Sequence, residues 1–406
     1  MIHPKMLYTY VGIDSHKNAH TAVFINCFFE KIGEQNFRNC QSDFDTFLKR
    51  AQIHRPEGGT LMFGMEDCAS FGLMLTKFLI KKNQSVKHVN ALLVARERKN
   101  RNITEKSDAI DAECAARVLL SKFGELPEAD PDDRYWVLRS LVARRLLLVR
   151  HRSATKNYLH SLLTHQYPNY YFDNIDCKTS LAFLLHYPSP SILKNTTVEE
   201  LAAFLEIPSN KTVGLPKAKE ILATLPDTTV QFQEIRDTVV QSAVRQLEFQ
   251  IKEIEKLEDS IAAFLKKFDC TLTSMAGIDT VTAAQLLSCI GDIRKFATPA
   301  KLARYAGIAP VNYGSGKKDL QFANQRGNRE LNSIFFWLAV RLSIPMGGNK
   351  LITNTFFYNY YQRKISEGKT KRQALKCVER RLVNIVWTML TNNEEYVNPP
   401  VIEASK

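Results

Sequence analysis

Glycine is scarce in this chain of 406 residues, 17 in all, and it never gathers into a loop that could cradle the phosphates of a nucleotide. Gly316-Lys317 has no glycine five positions ahead of it and no Ser or Thr behind it, so it is not a P-loop. Cysteine is present but unorganised. The eight thiols, at 27, 40, 68, 114, 177, 270, 289 and 377, form no Cys-x-x-Cys, which argues against a zinc site or a disulfide framework and fits a cytoplasmic protein with reduced thiols. No apolar run approaches the length that crosses a bilayer, and residues 1–10 lack a signal-peptide layout, so no membrane partner is expected. Acid is the minority charge: Lys and Arg outnumber Asp and Glu by 55 to 42, a formal charge of +13. That balance favours a polyanionic partner.

Against this basic background a few acids stand in pointed positions. Asp108 and Asp111 open a run of helical character, Ala112 to Leu120, with Ser107 as its N-cap, so both carboxylates share one face of the first turn. Taken alone, such a pair complements a helix dipole. Asp14 changes that weighting, because it ends the apolar run from Leu7 to Ile13, at the carboxyl edge of a buried strand where working residues gather. A second buried strand, residues 60–65, is followed at once by Glu66, with Asp67 behind it. Asp14, Glu66, Asp108 and Asp111 would then converge on one edge of one sheet. Carboxylates so close raise one another's pKa unless a cation lies between them. Hard oxygen donors of this kind select Mg²⁺ or Mn²⁺, the ions that flank a scissile phosphate in two-metal nucleases.

The length implies two or three domains. Residues 1–122 read as a mixed sheet with helices on its faces: strands at 8–13, 20–25, 61–65 and 86–89, helices at 44–51 and 71–81, and a hairpin turn at Ser15-His16-Lys17-Asn18. His16 and Lys17 are solvated turn residues or phosphate contacts. Residues 123–269 read as a coiled-coil arm. Its first helix, 133–165, interleaves an apolar side with Arg134, Arg139, Arg144, Arg145, Arg150, Arg152 and Lys156, a stripe suited to lying along a phosphate backbone. A connector with short helices follows at about 168–227. The second long helix, 230–268, has an apolar seam stepping by three and four that slips once between Ile254 and Leu257. From 270 to 392 the chain is mainly helical, with a tail at 393–406. That region opens at Met275-Ala276-Gly277-Ile278-Asp279 with a helix-hairpin-helix-like turn. Ser315 then lies between Gly314 and Gly316, ahead of Lys317 and Lys318, and by composition alone the segment is an ordinary turn. Of Tyr358, Tyr360 and Tyr361, which could stack on bases, at least one must pack in the core, since consecutive helical positions cannot all face one ligand.

Val11-Gly12-Ile13-Asp14, the strand ending in Glu66 and Lys106-Ser107-Asp108-Ala109-Ile110-Asp111-Ala112 resemble the four-carboxylate (DEDD) domain of bacterial insertion-sequence transposases. These are relatives of the Piv-type DNA invertases, and their domain is similar to the RuvC-like Holliday-junction resolvases of the ribonuclease H fold. Met275 to Ile278, Leu302 to Pro310, Ser315-Gly316-Lys317, Arg326-Gly327-Asn328 and Arg329 resemble, in order, the carboxy-terminal domain of the same transposases. Glu66-Asp67 departs from the pattern, which more often has a small or hydroxyl residue after the glutamate. The resemblance implies an RNase H-like amino-terminal domain, Mg²⁺ (or Mn²⁺) on Asp14, Glu66, Asp108 and Asp111, and Ser315 as the nucleophile in cutting and rejoining DNA. It also implies donor and target DNA as partners and a structured guide (bridge) RNA from the element. The two long helices look like an antiparallel coiled-coil arm, which would hold a homodimer or homotetramer together, although an intramolecular hairpin is equally allowed. Nucleic-acid contacts are expected at Arg144, Arg145, Arg150, Arg152, Lys156, Lys317, Lys318, Arg326 and Arg329.

The same residues admit three other readings. A resolvase or nuclease of the same fold would hydrolyse DNA with metal-activated water and leave Ser315 idle. An actin-like kinase also starts with a strand and Gly-Ile-Asp, but it needs the glycine-rich loops this chain lacks. A plain nucleic-acid binder has no use for four carboxylates on an otherwise basic surface.

Overall fold

The computed structural model describes residues 3–164, 166–167, 171–226, 231–315, 318–322, 324, 327–345 and 351–398, with the side chains of 312–322 excepted. It divides into two compact units, Met1–Trp136 and Val137–Lys406.

The first unit is built on a five-stranded sheet. Its elements are β1 (Tyr8–Ser15), β2 (Ala19–Ile25), β3 (Lys31–Arg38), α1 (Gln41–Ala51), β4 (Thr60–Met65), α2 (Leu73–Lys81), β5 (Ser85–His88), α3 (Ala91–Asn100) and α4 (Asp108–Ser121). The strand order is β3-β2-β1-β4-β5. β1 pairs antiparallel with β2 through the expected turn, and parallel with β4; β4 pairs parallel with β5. Alternation along β1 separates the layers. Val11 and Ile13 face Phe44 and Phe47 of α1 and Phe78 and Leu79 of α2, whereas Tyr10 faces Ala112, Ala116 and Leu119 of α4. Gly12 lies on the α4 side. A Cβ there would fall 2.0 Å from the Ala112 carbonyl oxygen and 2.3 Å from the Ala116 nitrogen, so the helix backbone rests directly on the strand.

Among its described residues the second unit is mainly helical, with one two-stranded hairpin. α5 (Arg134–Leu163) leads into it, followed by α6 (Lys178–His186), α7 (Pro190–Leu193), α8 (Val198–Glu206), α9 (Leu215–Ala223) and α10 (Gln233–Leu265). The segment expected as a connector is a helical subdomain with its own core: Phe183, Leu201, Leu205 and Ile221 pack with Leu159 and Leu163 of α5 and Val240, Val244 and Leu247 of α10. At the other end of the pair, Arg145 Nε donates to Glu258 Oε1 at 2.7 Å. The two long helices therefore run antiparallel within one chain. Short local patterns such as the Thr197–Glu200 capping box of α8 build the subdomain from pieces too brief to show a strong apolar period.

Beyond α10 come α11 (Thr280–Ile290), α12 (Pro299–Tyr305), β6 (Val311–Ser315), β7 (Lys318–Phe322), α13 (Arg329–Ser343), α14 (Thr355–Ser366) and α15 (Lys371–Asn392). Only a single 3-10 turn, Leu272–Ser274, directly precedes the Gly277 turn. Gly277 has φ +98, which an L side chain rarely adopts. Of the three tyrosines on α14, Tyr361 is buried. Part of the expected tail is tied down, because the Tyr396 amide donates to Ser274 Oγ at 2.8 Å and Thr271 Oγ1 donates to the Glu394 carbonyl at 2.8 Å.

Candidate metal centre and nucleic-acid interface

Strand register places the first two acids. Ile13 stands opposite Met65 in the parallel ladder, so the next residue on each strand, Asp14 and Glu66, comes side by side at the carboxyl edge. Parity places their side chains on the α4 face, continuing Tyr10–Gly12 and Met62–Gly64. The third acid arrives because α4 starts there: Ser107 accepts from the Ile110 amide at 3.3 Å as N-cap, making Asp108 the first helical residue. Gly12 sets the distance, since any side chain at that position would lift α4, and Asp108 with it, off the strand.

Asp14, His16 and Asp108 each offer a ligand atom, and the three atoms lie within 4.8 Å of one another. His16 Nε2 is 3.2 Å from both Asp14 Oδ2 and Asp108 Oδ1. Asp111, one turn along α4, is ion-paired with Arg98 of α3. Burial, with Asp108 and Asp111 adding repulsion and His16 partly offsetting it, holds the Asp14 carboxyl above its ordinary pKa. Glu66 is raised as well, by burial first and then by Asp14 and Asp111, with Lys106 opposing. Partial burial disfavours the charged His16 ring, but Asp14 and Asp108 together push its pKa up. The acids thus sit in each other's field, short of compensating charge. Asp67 serves the backbone instead. Its carboxylate accepts from the amides of Ser70 and Phe71, each at 2.8 Å, and shapes the turn after β4.

The sequence leaves His16 open between a solvated turn residue and a phosphate contact, and nothing in it points to Arg98. A histidine two residues beyond a strand-end aspartate was the visible signal for the first. Arg98 carried none, because its approach to Asp111 depends on how α3 folds back.

The basic stripe of α5 is largely spent inside the protein. Arg152 Nε and Lys156 Nζ lie 2.9 Å and 3.1 Å from the buried Asp176, Arg145 meets Glu258, and Arg139 Nε donates to the Ser288 carbonyl at 3.0 Å. A cation held by a buried carboxylate must give up that partner before it can hold a phosphate. Arg144 and Arg150 are exposed on the same helix. The α11 N-terminus is also answered from within, since Asp279 accepts from the Thr282 amide at 2.7 Å and faces Arg341 at 3.5 Å. Ser315 ends β6 opposite Lys318, the first residue of β7. Lys317 and Arg326 lie outside the described residues. Arg329 opens α13 and is exposed.

Similarity to known proteins follows the same two parts of the chain. Residues 11–168 match the DEDD model of IS110 elements, described as transposase, and residues 270–350 match the model described as transposase IS116/IS110/IS902 family. The uncharacterized 44.8 kDa protein of insertion element IS116 from Streptomyces clavuligerus is 26% identical over 403 residues, covering 98% of each chain. The pilin gene-inverting protein of Moraxella bovis is 23% identical over 96% of this chain and 97% of its own. The transposase for insertion sequence element IS1111A of Coxiella burnetii is 24% identical over 49% of this chain and 48% of its own. With two family models covering more than half of its residues between them, the chain belongs to the IS110/IS116 family of insertion-sequence transposases.

Proposed function

We propose that this protein is the DNA recombinase of an insertion element, cutting and rejoining DNA strands with Ser315 as nucleophile and a divalent-ion site at Asp14, Glu66, Asp108 and Asp111. The observation that carries the reading is the parallel register of Ile13 with Met65, which sets Asp14 beside Glu66 on the face where α4 delivers Asp108. The strand order β3-β2-β1-β4-β5, antiparallel on one side of β1 and parallel on the other, supports an RNase H-like domain.

The donor set fits Mg²⁺ or Mn²⁺: hard carboxylate oxygens, two of them on acids with raised pKa. His16 lies between Asp14 and Asp108, where a cation would also be held, and it gives way to an ion or stays as a side ligand. A bound divalent ion supplies charge stabilisation to the phosphate and to the oxygens entering and leaving it. The chain's own residues do the rest. Asp14 and Glu66, fixed by the sheet, define the site's floor, and Asp108 closes it from α4. Asp111, paired with Arg98 in the ion-free protein, would exchange that partner for the ion. Ser315 Oγ attacks phosphorus, the new P–Oγ bond replaces the P–O3′ bond, and a 3′-hydroxyl leaves while the 5′ end stays on the serine. Lys317, Lys318, Arg326 and Arg329 steady the charge on the phosphate.

The finer expectations belong to the same proposal. A structured RNA carries sequence recognition by base pairing, which accounts for a basic protein whose α5 arginines are mostly occupied internally. Copies assemble through the long helices, where Ile235 and Phe249 of α10 are 67% and 59% exposed. Trapping decides the chemistry. Denaturing gels of wild type with element-end DNA and Mn²⁺ should show a covalent protein–DNA adduct that Ser315→Ala abolishes. Cleavage retained in Ser315→Ala means hydrolysis by water, and the transesterification reading falls.

A further inference from the structure

The α5 stripe leaves Arg150 without a partner among the described residues, and the groove beside it has a composition of its own. It lies between α5, α11 and α13, wholly within the unit Val137–Lys406, with a volume of about 850 Å³. Three arginines line it, Arg150, Arg329 and Arg341, against one acid, Glu330. On its wall stands Trp337, 63% exposed. Arg341 is partly engaged, donating to the Gly277 carbonyl at 3.0 Å, whereas Arg150 and Arg329 have exposed side chains. A second cavity of about 520 Å³ shares Arg329 and adds Arg372. Its wall includes Pro310 and Asn324, which flank the β6–β7 hairpin carrying Ser315. Cations therefore run from α5, past an uncovered indole, to the base of the serine hairpin.

We infer that this groove holds single-stranded DNA, with a base stacked on Trp337 and phosphates on Arg150, Arg329 and Arg372, leading the strand to be exchanged toward the Ser315 hairpin. Charge selects a polyanion, and the indole selects one with free base faces. Within a duplex those faces are covered by neighbouring bases, while every unpaired base can stack on an aromatic ring. The volume fits a short run of nucleotides rather than a helix, since roughly 300–1,000 Å³ is the space of one small ligand. The choice of DNA over RNA rests on the serine-nucleophile reading, because the second cavity, which shares Arg329 with the groove, is walled by Pro310 and Asn324 on either side of the hairpin that carries that serine.

The test uses the full chain in EDTA, so that binding is read without chemistry, with a fluorescein-labelled oligothymidylate followed by anisotropy. Trp337→Ala should weaken binding by about 5- to 150-fold, the value of one stacked base, and Trp337→Phe should recover most of it. Arg150→Gln, an exposed change that leaves the fold alone, should lower the salt dependence by about one phosphate contact. Unchanged affinity in Trp337→Ala, or stronger binding of duplex DNA or oligouridylate than of oligothymidylate, overturns the inference. The two readings fail separately. If oligothymidylate binding needs Trp337 but no serine adduct ever forms, the nucleophile reading falls; if the adduct forms and Trp337→Ala binds normally, the groove falls.

Discussion

Asp14 and Asp176 are both partly or fully buried aspartates close to other charged groups, and the protein treats them in opposite ways. Asp176, with a side chain 1% exposed, is met by Arg152 and Lys156. Burial alone would raise its pKa, but the two cations more than offset it and hold it below the ordinary carboxylate range. Asp14 meets one histidine and a cluster of further acids, and its pKa is raised. A structural acid is neutralised by its surroundings; Asp14 and Glu66, by contrast, sit among acids that His16 and Arg98 offset only in part, and under the proposed function that unbalanced field would draw a divalent ion.

Neutralising the unbalanced acids gives the largest expected effect. Asp14→Asn or Asp108→Asn should lower strand cutting by at least about 10³-fold, measured on element-end DNA with Mn²⁺. The ion-free Asp14→Asn protein should melt no lower than wild type, since a repelled charge has been removed. Moving the helix rather than the charge comes next. Gly12→Ala forces the α4 backbone away and should cost on the order of 3 kcal/mol by denaturant unfolding, with cutting reduced in the fraction that still folds. A Gly12→Ala protein with wild-type stability and activity would show that α4 does not need the contact.

On the other side of the comparison, Asp176→Asn leaves Arg152 and Lys156 without their anion. It should destabilise by about 1.5–3 kcal/mol while leaving cutting per folded molecule unchanged. The two aspartates also predict opposite pH behaviour. Asp176 has a depressed folded pKa, so its contribution is complete above the ordinary carboxylate pKa and is lost as pH falls through the folded value. Asp14 and Glu66 have raised folded pKa values, so their repulsion is relieved as pH falls from neutral through those values, and the ion-free site becomes less destabilising. Melting curves of wild type, Asp14→Asn and Asp176→Asn across that range separate the two contributions. The smallest effect is expected at Arg98. Arg98→Gln releases Asp111 and removes a competing cation, so Mn²⁺ should bind a few-fold more tightly by calorimetry.

Much of the candidate metal site is legible in the chain itself. Tyr10, Gly12 and Asp14 alternate on one strand and Met62, Gly64 and Glu66 on another, and Ser107 announces the helix that brings Asp108. These are local signals for strand face and helix start; the pairing of β1 with β4 and the seating of α4 on Gly12, which bring the acids together, are long-range. The α5 cations are not legible in the same way. Their partners, Asp176 and Glu258, are 24 residues from Arg152 and 113 from Arg145, and no periodicity reveals which face of a basic helix a distant acid will meet. The helices α6 to α9 are blurred in the sequence because each is short and gains its burial from the others. The groove at Trp337 gathers residues from α5, α11 and α13, and only tertiary packing brings them together.

The most direct measurement is Mn²⁺ titration of the full chain by calorimetry, wild type against Asp14→Asn. The account predicts binding in wild type, accompanied by a rise in Tm, and neither in Asp14→Asn. Equal binding by both proteins, or none by wild type, would contradict a divalent-ion site at the edge of this sheet.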